Sequence, residues 1–239
     1  KYARDIGNVL ERCAGIRGFY NAFVMLRPVS LRADLIRAAL LWQYGGLWMD
    51  HKMVLAEPLS SFVDLTSDKV VLPLEIDYWK KENVRFHYSK STPVQNSFLF
   101  SRTPRHSVFE HIIQNQIQHV DARYYGPATL AVTGPLCFGL ALDYYLGNTT
   151  ESTIADRHLQ AVKNEKEFLQ FTMRTGSVIR YNVFFQKIHG GGSDNIVAVW
   201  HDDLHTAEGG TVRYDTLHGL HMMYCDDPLN PEVLSSGLD

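Results

Sequence analysis

The sequence predicts the α/β class: a mixed sheet flanked by helices. Short apolar runs of strand length, such as "KVVLPLEI" at 69–76, recur along the chain. Between them lies "SVFEHIIQNQIQHV" (107–120), whose apolar residues at 108, 109, 112, 113, 117 and 120 return with the period of an amphipathic helix. Strands separated by helices in this way argue for a mixed α/β sheet.

Residues 7–14 read as a short helix. "FYNAFVML" (19–26) fits strand or helix, because its period decides neither. Pro28 breaks the chain, and Ser30 offers an N-cap oxygen to the next helix. Leu31–Tyr44 is rich in Leu and Ala, which favour helix. Leu35, Ile36, Ala39, Leu40 and Leu41 predict that this helix is mostly buried. Gly45–Gly46 ends it, since glycine takes the turn after a helix without a Cβ penalty. "LWMDHKMVL" (47–55) then reads as a strand, closed by Pro58.

The second buried strand is 69–76. "YWKKENVRFHYSKSTP" (78–93) is polar and aromatic and reads as a loop or flap. "QNSFLFS" (95–101) is a third strand. "YYGPATLAVTGPLCFGLALDYYL" joins a Gly-Pro loop to a second helix, with Thr133–Gly134–Pro135 as its turn and start. Residues 147–166 read as a polar connection. "SVIRYNVFFQKI" (177–188) and "NIVAVW" (195–200) read as strands around a "GGG" turn. The tail from His201, rich in His, Asp and Gly, reads as irregular. No internal repeat or low-complexity segment interrupts this order.

Bulk composition narrows the function classes. The chain has 239 residues, 45% hydrophobic and 21% charged, which is the profile of a soluble globular protein. A core of this size holds without staples. A net charge of −3 with no basic patch weighs against nucleic acid as a partner. No apolar run reaches 18 residues, so no membrane span is expected. Cys13, Cys137 and Cys225 stand in no metal spacing and favour a reducing compartment. The expected location is cytoplasmic, or Golgi-lumenal if an N-terminal anchor was removed. The opening "KYARDIGNVL" is neither a signal peptide nor an initiator Met. Residues 1–239 therefore read as a single domain cut from a longer polypeptide, with its neighbouring domains as expected partners. "NTT" at Asn148 is a glycosylation sequon of a kind that often occurs by chance.

The chemistry begins at Asp34 and Arg37, which share one helix face at spacing i, i+3. The plain reading is an intrahelical ion pair. Yet the helix is apolar nearly all round, and a buried charge needs a partner or a ligand. The helix also runs into the glycine pair and then a strand presenting Asp50. Turning there brings Asp50 back towards the helix, at a strand's carboxyl end where open α/β sheets bind ligands. On a strand, positions 50 and 52 point the same way. A second carboxylate at 52 would complete a metal clamp, but the residue is Lys52.

The stretch "ADLIRAALLWQYGGLWMDHK" resembles the sugar-binding region, containing the DXD motif, of GT-A glycosyltransferases. That group includes mannosyltransferase-initiation and capsular-polysaccharide transferases and, more distantly, the large clostridial glucosylating toxins. Asp34, Arg37, Gly45, Gly46, Trp48 and Asp50 stand at the positions of its pattern. "QNSFLFSRTPRHSVFEHII" and "AVTGPLCFGLAL" are similar to the segments that follow in the family. The resemblance covers 28–142 and implies a GT-A-like, Rossmann-type mixed sheet. By it, 28–142 is the donor-sugar-binding core and 143–239 the acceptor side and C-terminal tail.

The resemblance implies transfer of a sugar from a nucleotide-sugar donor to a glycan or glycoconjugate acceptor. Asp34 and Arg37 would bind hydroxyls of the donor sugar; a carboxylate accepts such hydrogens and a guanidinium donates through a fixed fork. Asp50 would contact ribose, sugar or metal. The family's second Asp, the usual ligand of Mn²⁺ or Mg²⁺, is Lys52 here. A divalent ion normally offsets the donor diphosphate, and an ammonium can offset it directly. Three readings stay open: metal-independent transfer helped by Lys52, metal-dependent transfer through ligands such as Asp50 and His201, and a site that binds without catalysis. The family also has a nucleotide-binding strand well upstream of the motif, for which "FVML" (23–26) is the nearest candidate.

Other residues carry weaker signals. Glu75 and Asp77 end the second strand, as bases for an acceptor hydroxyl or as solvated strand ends. Asn96 faces the donor or acceptor, or is a turn asparagine. Trp79, Phe86 and Tyr88 offer aromatic faces for sugar rings, or simply pack down. "WHDDLH" and "HGLHMMYCDD" hold histidines and acids from which a metal site could be built, against the commonness of histidine in surface loops. His201, just past a strand, would contact donor phosphates or a metal. Two competitors follow: a non-catalytic sugar- or nucleotide-binding module, and a metal-dependent phosphohydrolase centred on His201–His205.

Overall fold

The computed structural model describes residues 1–51, 53–55, 58–61, 65–66, 70–74, 93–126, 128–145, 168–175, 183–187, 196–200 and 214–225. They form a mixed α/β architecture. The first helix, α1, is Tyr2–Ala14, longer than the expected 7–14. Ala3, Ile6 and Leu10 are buried along one stripe, which carries the helix back to its first residues. The ambiguous run at 19–26 is helical over Phe19–Met25 (α2), with Phe19 and Ala22 buried on spacing i, i+3.

Helix α3 spans Val29–Tyr44. It starts before Ser30, so that residue is not its N-cap. The extended Pro28 takes the cap position, and its carbonyl accepts from the Arg32 N–H at 3.2 Å. As expected, α3 is buried on most sides, through Leu31, Leu35, Ala38, Ala39, Leu41 and Trp42. Gly45 ends it at φ 66°, donating its N–H to Leu41 O at 2.8 Å.

The run 47–55 is not one strand. It divides into β1 (Gly46–Met49) and β2 (Met53–Leu55). Between them Met53 N donates to Asp50 O at 2.8 Å and closes a turn. The expected continuous strand therefore does not hold, because the chain turns after Asp50.

The remaining strands are β3 (Val70–Leu74), β4 (Phe98–Ser101), β5 (Phe168–Thr175), β6 (Val183–Lys187) and β7 (Ile196–Trp200). The further α-helices among the described residues are α4 (Ser107–Asp121), α5 (Pro135–Tyr145) and α6 (Tyr214–Gly219). β4 begins later than the expected 95–101, because Asn96 and Ser97 form a turn before it. Strand β5 departs from the sequence expectation, although Leu169, Phe171 and Met173 alternate with Gln170, Thr172 and Arg174.

The described residues form a seven-stranded sheet in the order β1-β4-β3-β5-β6-β7-β2. Among the described strands only β3 and β5 pair in parallel, from Val70 opposite Phe168 to Leu74 opposite Thr172. β1 and β2 stand at opposite ends of this order, yet only three residues separate Met49 from Met53. Four Cα steps reach at most about 15 Å, whereas the edges of seven flat strands stand about 29 Å apart. The sheet must therefore curl, and the Asp50 turn bridges its two edges.

The core lies between the helices and the first strands of this sheet. Leu35 and Trp42 of α3, Phe109 and Ile112 of α4 and Phe138 of α5 meet Val70, Leu72 and Leu99 there. The end of the chain is not wholly irregular. Arg27 N donates to Met223 O at 2.9 Å and Cys225 N to Met25 O at 2.7 Å, which ties 223–225 to the segment before α3. Met223, Tyr224 and Cys225 are buried by this pairing. No helix among the described residues is long and apolar enough to cross a membrane.

Candidate functional site

Asp34 and Arg37 lie one turn apart in α3, each only 7% exposed. Arg37 Nη2 stands 3.4 Å from Asp34 Oδ1, so the plain intrahelical pair is present. It is not the whole arrangement. Arg37 Nη1 stands 3.4 Å from Asp50 Oδ1 and donates to the carbonyl of Asn96. Gly45 makes this possible by reversing the chain between α3 and β1. A side chain at 45 would stand 2.9 Å from Ser101 O, so the close approach of α3 to the end of β4 needs glycine there.

Trp48 joins the site from β1. Its Nε1–H donates to Asp50 Oδ1 at 2.8 Å, and the Arg37 guanidinium lies 5.3 Å from its ring centre. Asp50 N–H donates to Ser97 O at 2.8 Å, so the turn before β4 fixes the backbone of the motif. The same turn carries Asn96, whose Nδ2 donates to Asp34 Oδ1 at 2.9 Å. From the other side Thr133 Oγ1 donates to Asp34 Oδ2 at 3.1 Å.

Burial governs the electrostatics of Asp34. Loss of water pushes its carboxyl up to about 6, although Arg37, Thr133 and Asn96 all favour the ionised form; Asp50 adds a smaller upward push. The negative charge of Asp34 is thus held at neutral pH by donors that surround it. Cys137, beside this cluster, is held well above the usual thiol range by burial first and by Asp34 second.

Of the residues singled out in the sequence, Asp34, Arg37, Asp50 and Asn96 come together. Lys52, Glu75, Asp77 and His201 lie outside the described residues, as do Trp79, Phe86, Tyr88 and His205. Sequence reasoning treated Thr133 only as part of a turn and gave Trp48 no role beyond the motif. The sequence signal for Thr133 is its Thr-Gly-Pro setting, a hydroxyl at the start of an otherwise apolar helix.

Among the described residues, Asp50 Oδ1 is already engaged by two donor groups. A cation at Asp50 Oδ1 would meet the Arg37 guanidinium 3.4 Å away and compete with the indole N–H. Among the described residues no three His, Cys, Asp or Glu side chains gather as a metal-binding group. What the arrangement offers is a carboxylate pair and a guanidinium fork, the groups that bind hydroxyls and other polar oxygens. A scan of the chain against protein-family models finds no match, and a search of curated proteins finds none either.

Proposed function

We propose that the chain is a glycosyltransferase of the GT-A type, moving a sugar from a nucleotide-sugar donor to a glycan or glycoconjugate acceptor. The observation that carries this reading is the convergence of Asp34, Arg37, Asp50 and Asn96 on one buried cluster. A mixed sheet flanked by helices is compatible with the GT-A-like, Rossmann-type fold that the motif implies.

A carboxylate has about four acceptor positions. Asn96, Thr133 and Arg37 occupy three on Asp34, which leaves one for a hydroxyl of the donor sugar. Arg37 supplies charge and donors between the two carboxylates. Asp50 is the most open of the three, its side chain 25% exposed, and it is the group a donor meets first. Lys52, two residues beyond it, is proposed to offset the charge of the departing diphosphate. Transfer then needs no divalent ion at Asp50. The three free thiols support a reducing, cytoplasmic setting.

Isothermal titration with a panel of UDP-, GDP- and CMP-sugars, with and without Mn²⁺, tests the reading. A nucleotide sugar is expected to bind equally well in EDTA. Asp34→Ala and Asp50→Ala are expected to abolish transfer. No binding or donor hydrolysis by the folded protein under any condition would sink the proposal.

A further inference from the structure

We propose that the turn at 131–134 is the positioning element for the Asp34 carboxylate, with Thr133 as the residue that aims it and Gly134 as the residue that leaves it room. The functional half of this inference rests on the sugar-donor reading above. Thr133 is fully buried, and its hydroxyl has two acceptors in reach: Asp34 Oδ2 at 3.1 Å and Leu31 O at 3.4 Å. Both belong to α3, so one hydroxyl ties the turn to the helix that carries Asp34.

The turn is in its own right clamped from behind by α4. Gln116 Nε2 donates to Thr133 O at 2.8 Å. His119 Nδ1 stands 3.0 Å from both Ala131 O and Val132 O. Carbonyls only accept, so His119 must carry its proton on Nδ1. Asn115 Nδ2 donates to Cys137 O at 3.2 Å in the helix that follows. These side chains hold the turn rigid, and a rigid donor orients a carboxylate better than a mobile one.

Gly134 contributes space. A Cβ there would stand 3.3 Å from Asp34 Oδ2 and 3.3 Å from Leu130 O. An alanine would press on the carboxylate oxygen that Thr133 holds. With Asn96 on Oδ1, the carboxylate is gripped from two sides, and its remaining acceptor direction is set by Thr133 and Gly134 together.

The test compares Thr133→Val, Thr133→Ser and Gly134→Ala with the unaltered protein. Two quantities are read: the titration of the Asp34 carboxyl by ¹³C NMR, and the affinities of the UDP-, GDP- and CMP-sugars and of the matching free nucleotides. Valine keeps the shape and removes the donor, so Asp34 is expected to titrate at higher pH, with Ser restoring the original value. The nucleotide sugar is expected to bind about tenfold more weakly to Thr133→Val and to Gly134→Ala. The free nucleotide is expected to bind unchanged, which a merely structural role would not produce.

An Asp34 titration unmoved by Thr133→Val overturns the proposal. So does an equal loss of nucleotide and nucleotide sugar, or an unchanged nucleotide-sugar affinity. A titration that moves as expected in a protein that binds no nucleotide sugar supports the positioning role and refutes the sugar-donor reading instead.

Discussion

Arg37 stands 3.4 Å from Asp50 Oδ1 and 3.4 Å from Asp34 Oδ1, so a single guanidinium ties helix α3 to the turn after β1. Removing it leaves a buried carboxylate without its counter-charge. Breaking a buried ion pair in this way costs about 3 kcal/mol or more. Arg37→Met is therefore expected to lower stability by about that much at pH 7 in urea denaturation. The loss should shrink near pH 4, where a protonated Asp34 no longer needs the cation. Arg37→Lys should recover part of the stability but little affinity for the proposed nucleotide-sugar donor. One ammonium cannot serve both carboxylates, the Asn96 carbonyl and the Trp48 face.

Asp34 gives a pH dependence whose sign follows from its environment. Its carboxyl titrates near 3.8 when unfolded and is pushed up to about 6 by burial. Between those values the folded state holds more protons, so stability is fully present below pH 3.8 and declines as pH rises through 6. A shift of this size corresponds to on the order of 3 kcal/mol. Asp34→Asn removes the buried charge. Its amide can still accept from Asn96 and donate to Thr133, whose hydroxyl can turn to Leu31 O. The variant is expected to lack the decline, so its stability relative to the wild type rises from pH 4 to pH 7. Urea midpoints across that range check this, and a difference independent of pH would contradict it. Donor binding by the variant should still fall at least tenfold, because the charged acceptor is gone.

His119 has the opposite slope. Burial holds its imidazole below the usual value, against the two carbonyls that favour its proton. The unfolded chain then binds the proton first as pH falls, so stability is lost on acidification below about 6.5. His119→Gln, whose amide can donate to the same carbonyls, is expected to flatten the acid limb of the stability curve. An acid limb that stays as steep would show that other groups set it.

Trp48 holds Asp50 by one hydrogen bond at 2.8 Å and backs Arg37 with its ring. Trp48→Phe keeps an aromatic face for the cation and removes only the donor. Asp50 is partly exposed, so stability should change by less than about 1 kcal/mol. Donor affinity, read by titration calorimetry, should fall about fivefold as Asp50 loses its orientation. Unchanged affinity would mean that the backbone bonds from Asp50 N to Ser97 O and from Met53 N to Asp50 O fix the group alone.

The part of this cluster legible in the sequence is the part built from near neighbours. Asp34 and Arg37 share a helix face, and a glycine pair followed by an apolar strand announces the chain reversal that brings Asp50 back. Asn96 and Thr133 reach Asp34 across 62 and 99 residues, and no local period encodes such distances. Asn96 was nameable because it sits beside a strand in a recognisable segment. The turn at Asp50–His51 is hidden for a different reason. Residues 47–55 are apolar on both sides of it and contain no Gly or Pro, so the pattern reads as one strand. The pairing of 223–225 with the segment before α3 is likewise invisible, because it depends on a partner at the far end of the chain.

The glycine pair separates two effects that a sequence motif merges. Gly45 lies at φ 66°, ψ −156°, a backbone region that side chains scarcely enter. Its added Cβ would also stand 2.9 Å from Ser101 O, 3.1 Å from Thr103 C and 3.2 Å from Pro104 N, all of them backbone atoms that cannot swing aside. Gly46 lies at φ 91°, but a Cβ there would meet nothing within 4 Å. Gly46→Ala should therefore cost only backbone strain, about 1–2 kcal/mol. Gly45→Ala adds the clash to comparable strain and should cost about 3 kcal/mol or more. It should also push β1 away from β4 and carry Asp50 away from Arg37, so donor affinity falls with stability. In Gly46→Ala affinity should be largely kept. Denaturation and titration of the two variants side by side decide the matter: equal losses would show that the close approach to Ser101 is not what position 45 requires.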